Sequence, residues 1–373
     1  MGKLKVGLVL DDSLDRTDGV QQYVKTVGNW LNEQGHDVHY LAGQTDSDKP
    51  NVHSLARNLN VRFNGNRLSV PLPSTSSDIE AVMQAQDFDV LHVQMPYSPF
   101  MAGRVIKAAS DETAVVGTFH ILPLGKLQKA GSKLLGWAQN GTLSRFDAVC
   151  AVSEPAKVFA SQYFGVESDV LPNAIDISSW TNDSRIEAGK IVFLGRLVER
   201  KGCQQLLKAI NALPSELQQK ITVQIAGDGP LKPKLQAYVE NSNLPVEFLG
   251  FIDEDQKASL LGSAEIAVFP ALGGESFGIV LLEAMAAGAG VVIGGDNPGY
   301  ASVLGGRAEA LFDPNDHEQL AKNLERFLKD SAYRESLGRA QTEAVQEYDI
   351  ELIGAKLVEM YRQAILHRRQ EVR

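Results

Sequence analysis

Only two cysteines occur in 373 residues, Cys150 and Cys203, and both sit in apolar or helical surroundings without metal-ligand spacing. A disulfide-stapled scaffold is excluded, and a reducing, cytoplasmic compartment is expected. No apolar run approaches the roughly 18 residues that suggest a membrane-spanning helix. The opening stretch, MGKLKVGLVLDD, goes straight into a strand pattern and lacks a signal-peptide cleavage signature. Positive charge is also scarce: the net charge is −10, and neither half of the chain is basic. That balance argues against nucleic acid as a partner, and it leaves any membrane contact to a local patch. No GxxxxGK[ST] loop is present and no G-x-G-x-x-G follows the first strand, so neither a Walker-type site nor a nicotinamide site is indicated. No Asp-x-Asp motif is placed to hold a metal–diphosphate complex.

Apolar residues make up 44% of the chain and charged residues 22%, as in ordinary globular proteins. The length exceeds one ordinary core, so two domains are expected. In the first half, apolar strands at Val6–Leu10, Asp37–Ala42, Val90–Val93, Ala114–Thr118 and Ala148–Val152 alternate with helical patterns, the first of them Gly19–Gln34. The alternation restarts at Ile191–Leu194 and continues through Thr222–Ala226, Val246–Leu249, Ile266–Pro270, Val291–Gly294 and Ala310–Phe312. Helices are expected at Asp316–Lys329, Ser331–Glu347 and Asp349–His367. Strands separated by helices mean βαβ units and parallel sheets, which bind ligands beyond the carboxyl ends of their strands.

The densest chemistry lies in Gly273–Gly290, GGESFGIVLLEAMAAGAG. After two glycines comes a helix that is apolar almost all round and belongs in a core. It nevertheless carries Glu283, with Glu275 just ahead of its first turn. A carboxylate in such a setting is costly unless it is hydrogen-bonded. The glycines admit a close ligand, and the N–H groups of Ser276, Phe277, Gly278 and Ile279 favour an anion. A ligand with both hydroxyls and phosphates fits this stretch. The plain structural alternative is a Ser276 N-cap with Glu283 paired to a core arginine. LGRLVERKG places Arg196 and Lys201 at the carboxyl end of the second half's first strand, with Lys201 expected to open a helix. A lysine opposes the dipole there, and an anion would relieve the conflict. His120 follows the Ala114–Thr118 strand, and Gly19 begins the first helix after the polar loop Asp11–Gly19. On its own residues the glycine is as readily structural as functional, and a lone histidine is more often structural.

The Glu275…Glu283 spacing inside GGESFGIV resembles the signature of retaining nucleotide-sugar glycosyltransferases with the GT-B fold (glycosyl transferases group 1, family four). More narrowly, it resembles the group that includes phosphatidylinositol mannosyltransferases. GVQ at Gly19–Gln21, TFH at Thr118–His120, LPNAID at Leu171–Asp176 and LGR…RKG at Leu194–Gly202 extend the resemblance along the chain. It implies two facing Rossmann-like domains, about residues 1–178 and 179–348, with the active site in the cleft between them. A closing helix at about 349–373 would return to the first domain. It implies transfer of a hexosyl group, with retention, from a nucleotide sugar to a hydroxyl acceptor. Arg196 and Lys201 would hold the leaving diphosphate, Glu275 the sugar hydroxyls, Glu283 the nucleotide ribose and His120 the sugar from the first domain.

With two cations and a helix N-terminus on the diphosphate, neither a metal nor a cofactor is expected. In the GFIDEDQKAS loop, Glu254 and Lys257 share a helix face, match the base-contacting positions of the resembling mannosyltransferases with Glu in place of Asp, and suit guanine; the plain alternative is an acidic first helix turn, Asp253–Asp255, complementing the dipole. The donor expectation is therefore GDP-mannose. The alternatives are a UDP-sugar-dependent transferase, a GT-B epimerase or phosphorylase, and a sugar-nucleotide-binding protein without activity. The acceptor is expected over the first domain, near Asp12 and Lys126. The segment Ile121–Gln139 combines Leu, Trp and Lys, so a lipid-linked acceptor and peripheral membrane contact are open readings beside an ordinary surface helix.

Overall fold

The computed structural model describes residues 2–16, 18–56, 58–63, 66–71, 76–96, 98, 100–120 and 140–372. Lys126 and the Ile121–Gln139 segment therefore lie outside the described residues. The chain divides into two compact units. The first comprises Met1–Ala174 and Ile350–Arg373, and the second Ile175–Asp349.

In unit 1 a parallel sheet is built from β1 (Lys5–Leu10), β2 (Asp37–Ala42), β3 (Val52–Ser54), β6 (Val90–Gln94), β7 (Ala114–Phe119), β8 (Ala148–Ala151) and β9 (Asp169–Val170). Its order is β3-β2-β1-β6-β7-β8-β9. A two-stranded antiparallel hairpin, β4 (Asn58–Phe63) with β5 (Asn66–Pro71), stands apart from it. All residues of β6 and β7 are buried, which is the condition of a parallel strand covered on both faces. The Gly19–Glu33 helix buries Tyr23, Val24, Val27, Trp30 and Leu31. The last helix, Ile350–Glu371, returns to this unit and packs beside it. The approach is close because Gly354 lacks a side chain: a Cβ there would stand 2.6 Å from the Trp30 ring.

Unit 2 repeats the plan with β10 (Lys190–Leu194), β11 (Thr222–Ala226), β12 (Val246–Gly250), β13 (Ile266–Phe269), β14 (Val292–Gly295) and β15 (Leu311–Phe312), in the order β12-β11-β10-β13-β14-β15. Strand order reverses beside β10 and β13, where a doubly wound sheet opens a crevice at its carboxyl edge. Among the described residues no helix is long and apolar enough to cross a membrane.

Candidate active site

The loops after β10 and β13 are stitched to each other. After Arg196, the chain makes a short 3-10 turn, Glu199–Lys201, and the helix proper begins only at Cys203. Lys201 thus closes a turn; it does not open a helix as expected from sequence. Gly202 links the two in the left-handed region (φ 70°), and a Cβ on it would stand 1.8 Å from the Pro270 carbonyl oxygen. Only glycine lets the turn reach the β13 loop. Leu272 N–H then donates to the Arg200 carbonyl at 2.8 Å.

This seam brings two cations onto one carboxylate. Arg200 Nη1 lies 2.5 Å and Lys201 Nζ 2.9 Å from Glu275 Oε1. Burial pushes the Glu275 pKa up, but the two cations outweigh it and hold the carboxylate below its ordinary range. The Lys201 pKa is lowered, first by burial and then by Arg200 and Arg196, although Glu275 opposes the shift. Two positive groups share one negative one, so the cluster keeps a net positive charge suited to an anion. Arg200 is the residue that sequence reasoning passed over. Its signal was the RKG triplet, read there for its lysine alone.

The floor beneath Glu275 is backbone. Gly299 packs so closely that a Cβ would stand 2.2 Å from the Glu275 carbonyl oxygen. Gly299 is held in the Pro298–Val303 helix, which Asn297 caps by accepting from Tyr300 N–H at 3.1 Å. Ser276 is half-buried and Phe277 is buried, its ring edge-on to Tyr348 at 5.7 Å. Phe277 therefore offers the site its backbone and not its ring. Gly278 precedes the Ile279–Ala286 helix with φ 121° and no side-chain cap, so Ser276 is not the N-cap.

Glu283 is buried in that helix. Among the described residues no hydrogen bond or ion pair to its carboxylate is formed, and no core arginine compensates it. Burial raises its pKa; Lys257 and Lys201 pull it down, and Glu254 pushes it up. Glu254 and Lys257 themselves form an ion pair of 2.7 Å on the Glu254–Gly262 helix, whose start is fixed by a capping box between Asp253 and Gln256. Lys201 and the Glu254–Lys257 pair are thus the charged groups that act on Glu283 among the described residues. A cavity of about 710 Å³ in unit 2 is lined by Asp255, Gln256 and Ser259 of the same helix and by Ile252, with none of Glu254, Lys257, Glu275 and Glu283 in its wall.

Unit 1 places its candidates at the carboxyl ends of β1 and β7. Gly19 is the first residue of its helix, after an Asp18 whose side chain makes no capping bond. Asp12 accepts from Ser13 N–H at 2.7 Å and pairs with Arg16 at 3.1 Å. His120 is buried, with Nε2 2.6 Å from Gln94 Oε1. Burial pushes its pKa down to about 3, so the ring is neutral at any physiological pH.

Comparison with known proteins places these residues in a family context. Residues 176–344 match the model described as glycosyl transferases group 1, and residues 17–179 that of glycosyltransferase family 4. The phosphatidyl-myo-inositol mannosyltransferase of Mycolicibacterium smegmatis is 30% identical, over 96% of this chain and 93% of its own. The protein of that name from Mycobacterium tuberculosis is 31% identical, over 96% of both. Sucrose-phosphate synthase from Thermosynechococcus elongatus superposes with a TM-score of 0.76 at 20% identity, covering 97% of this chain and 99% of that one. Anabaena HepE in complex with UDP and glucose gives 0.74 at 16% identity, covering 96% and 99%.

Proposed function

The chain belongs to the group 1 glycosyltransferases of the GT-B fold, and from that premise we propose that it transfers mannose from GDP-mannose, with retention, to a hydroxyl of an inositol-phosphate, lipid-linked or glycan acceptor. The observation that carries the reading is the cluster of Arg200 and Lys201 on Glu275, with Arg196 close enough to depress Lys201. In a retaining transfer the barrier lies in parting the sugar from its diphosphate, so catalysis is mainly electrostatic support of the leaving group and positioning of the acceptor. Arg196, Lys201 and the N–H groups ahead of Ile279 support the diphosphate; no metal is required. As the diphosphate draws Lys201, Arg200 stays on Glu275 and keeps that carboxylate charged for the sugar hydroxyls. Glu283 accepts from the ribose hydroxyls, which replace the partner it otherwise lacks in the core. No side chain is assigned as general base, and the leaving phosphate takes the acceptor proton.

The mannosyltransferase names of the full-length relatives support the sugar and an inositol-lipid acceptor. Guanine is supported by the Glu254–Lys257 pair, which can exchange its internal ion pair for the donors and acceptor of the guanine edge. A site built for those groups leaves them unpaired on uracil. With cysteines that are free and buried, the enzyme would work on the cytoplasmic side. Calorimetry with GDP and UDP, followed by a donor and acceptor screen with the product anomer read by NMR, tests the whole reading. Tighter or equal binding of UDP ends the guanine assignment, and an inverted product ends the retaining one. Turnover that needs added divalent cation ends the metal-free leaving group.

A further inference from the structure

We propose that Gln94 is a positioning residue for His120, fixing the imidazole as the tautomer protonated on Nε2. The inference builds on the reading of His120 as the unit 1 residue that meets the transferred sugar.

His92 and Gln94 alternate along β6, and Thr118 and His120 do so at the end of β7. Residues two apart share a face of a strand, so these four polar groups form one row across adjacent strands, with Gln94 in register with Thr118. Strands covered on both faces are normally apolar throughout, so a buried polar row needs a purpose. Gln94 is fully buried, and its amide oxygen lies 2.6 Å from His120 Nε2. A carbonyl oxygen only accepts, so the proton between them belongs to the histidine. The amide nitrogen of Gln94 has no hydrogen-bond partner among the described residues. An apolar side chain of similar volume would avoid that cost. What the amide contributes in exchange is the acceptor that faces His120.

The surroundings hold this geometry. Met95, directly after Gln94, adopts a left-handed backbone (φ 57°) that is unfavourable for any residue but glycine, and its N–H is bonded to the Thr118 carbonyl at 3.1 Å. The Tyr23 ring stands edge-on to His120 at 5.1 Å. Beneath, His92 bonds Thr118 Oγ1 at 2.6 Å and Tyr361 at 2.7 Å. Among the described residues, the titratable groups facing this pocket are Tyr23 from the first helix, Tyr361 from the last, His92 from β6 and Cys150 from β8. Burial keeps each of them neutral: it lowers the His92 pKa to about 3, raises that of Cys150 to about 11, and raises both tyrosines. Burial holds His120 neutral, so with Nε2–H committed to Gln94, Nδ1 is the unprotonated nitrogen.

Long-range ¹H–¹⁵N NMR of the full chain labelled in histidine tests this, with the His120 signal identified by its loss in His120→Asn. The expected wild-type result is an Nε2–H tautomer that does not titrate between about pH 5.5 and 8.5. In Gln94→Leu the ring should become a mixture of tautomers, with kcat lowered about tenfold and the donor KM within about twofold. Gln94→Glu places a carboxylate against the ring, so His120 should begin to titrate and the rate should acquire a pH-dependent limb. An Nδ1–H tautomer in the wild type, or an unchanged tautomer in Gln94→Leu, overturns the proposal. The wild-type spectrum decides even if Gln94→Leu does not fold. The NMR readout requires no sugar transfer, so a wild type that transfers no sugar sinks the proposed function and leaves the assignment of Gln94 standing.

Discussion

Glu275→Gln should destabilise unit 2 more than the loss of either of its cations. The carboxylate is the only negative group in the Arg200–Lys201–Glu275 ion pairs, and the three side chains retain 21%, 18% and 12% of their exposure. Breaking a fully buried pair by removing one partner costs about 3–5 kcal/mol. The residual exposure lets water screen the orphaned cations, which brings the figure down to about 2–3 kcal/mol. For a unit of this size each kcal/mol shifts the melting temperature by about 2–4 °C, so a fall of about 5–10 °C is expected for Glu275→Gln. Lys201→Met leaves Arg200 on the carboxylate and removes a crowded cation, so it should cost about 1 kcal/mol or less. Because the folded pKa of Glu275 is depressed, its stabilisation is complete above the ordinary value of 4.5 and disappears as pH falls through the folded value. The glutamine variant should lack that acid limb. Inorganic diphosphate should restore part of the lost melting temperature by occupying the uncompensated cations. Differential scanning calorimetry of both variants from pH 3 to 8 decides the matter. A Glu275→Gln protein melting within about 2 °C of wild type, or below it by less than Lys201→Met, refutes the argument.

Glu283→Gln should do the reverse. Burial lifts the folded pKa of Glu283 above 4.5, so wild-type stability declines as pH rises through that window. The glutamine variant should melt higher at pH 7, the gap should close toward pH 4.5, and nucleoside diphosphate should bind roughly tenfold more weakly by calorimetry. Arg196→Ala removes a charge-assisted contact of roughly 1.5–3 kcal/mol, so steady-state turnover should fall about ten- to a hundredfold; a wild-type rate would take Arg196 out of the donor site. Gly202→Ala forces a Cβ into the Pro270 carbonyl and should part the two loops. The expected readout is a loss of activity together with several degrees of melting temperature, and an active, equally stable protein would contradict the seam.

The strands were legible: β6 and β7, buried on both faces, run one residue beyond their expected limits, and β2 and β11, apolar in part and flanked by turns, match theirs. The glutamate helix was legible because a carboxylate in an otherwise apolar run is conspicuous. What stayed hidden was pairing. In ERKG the two cations are neighbours in sequence, but that both meet Glu275 depends on a left-handed Gly202 and a 3-10 turn, neither of which has a periodic signature. Gln94 and His120 are 26 residues apart, and their contact follows only from the adjacency of β6 and β7. Glu254 and Lys257 share a face as their spacing implies, yet spacing alone does not show that they bind each other first.

The return of the Ile350–Glu371 helix to unit 1 dictates an order of events at the ribosome. This helix supplies Gly354 for Trp30 and Tyr361 for His92, so the older half of the nascent chain has to wait for them. Meanwhile Ile175–Asp349 is contiguous and can close on itself as soon as it emerges. At 5–20 residues per second, its synthesis occupies roughly ten to thirty-five seconds. Through that interval the apolar faces of the Gly19–Glu33 helix and of β7 stand uncovered, and they are the surfaces on which a nascent-chain chaperone would be expected to bind. The half of the protein made first is therefore the half finished last.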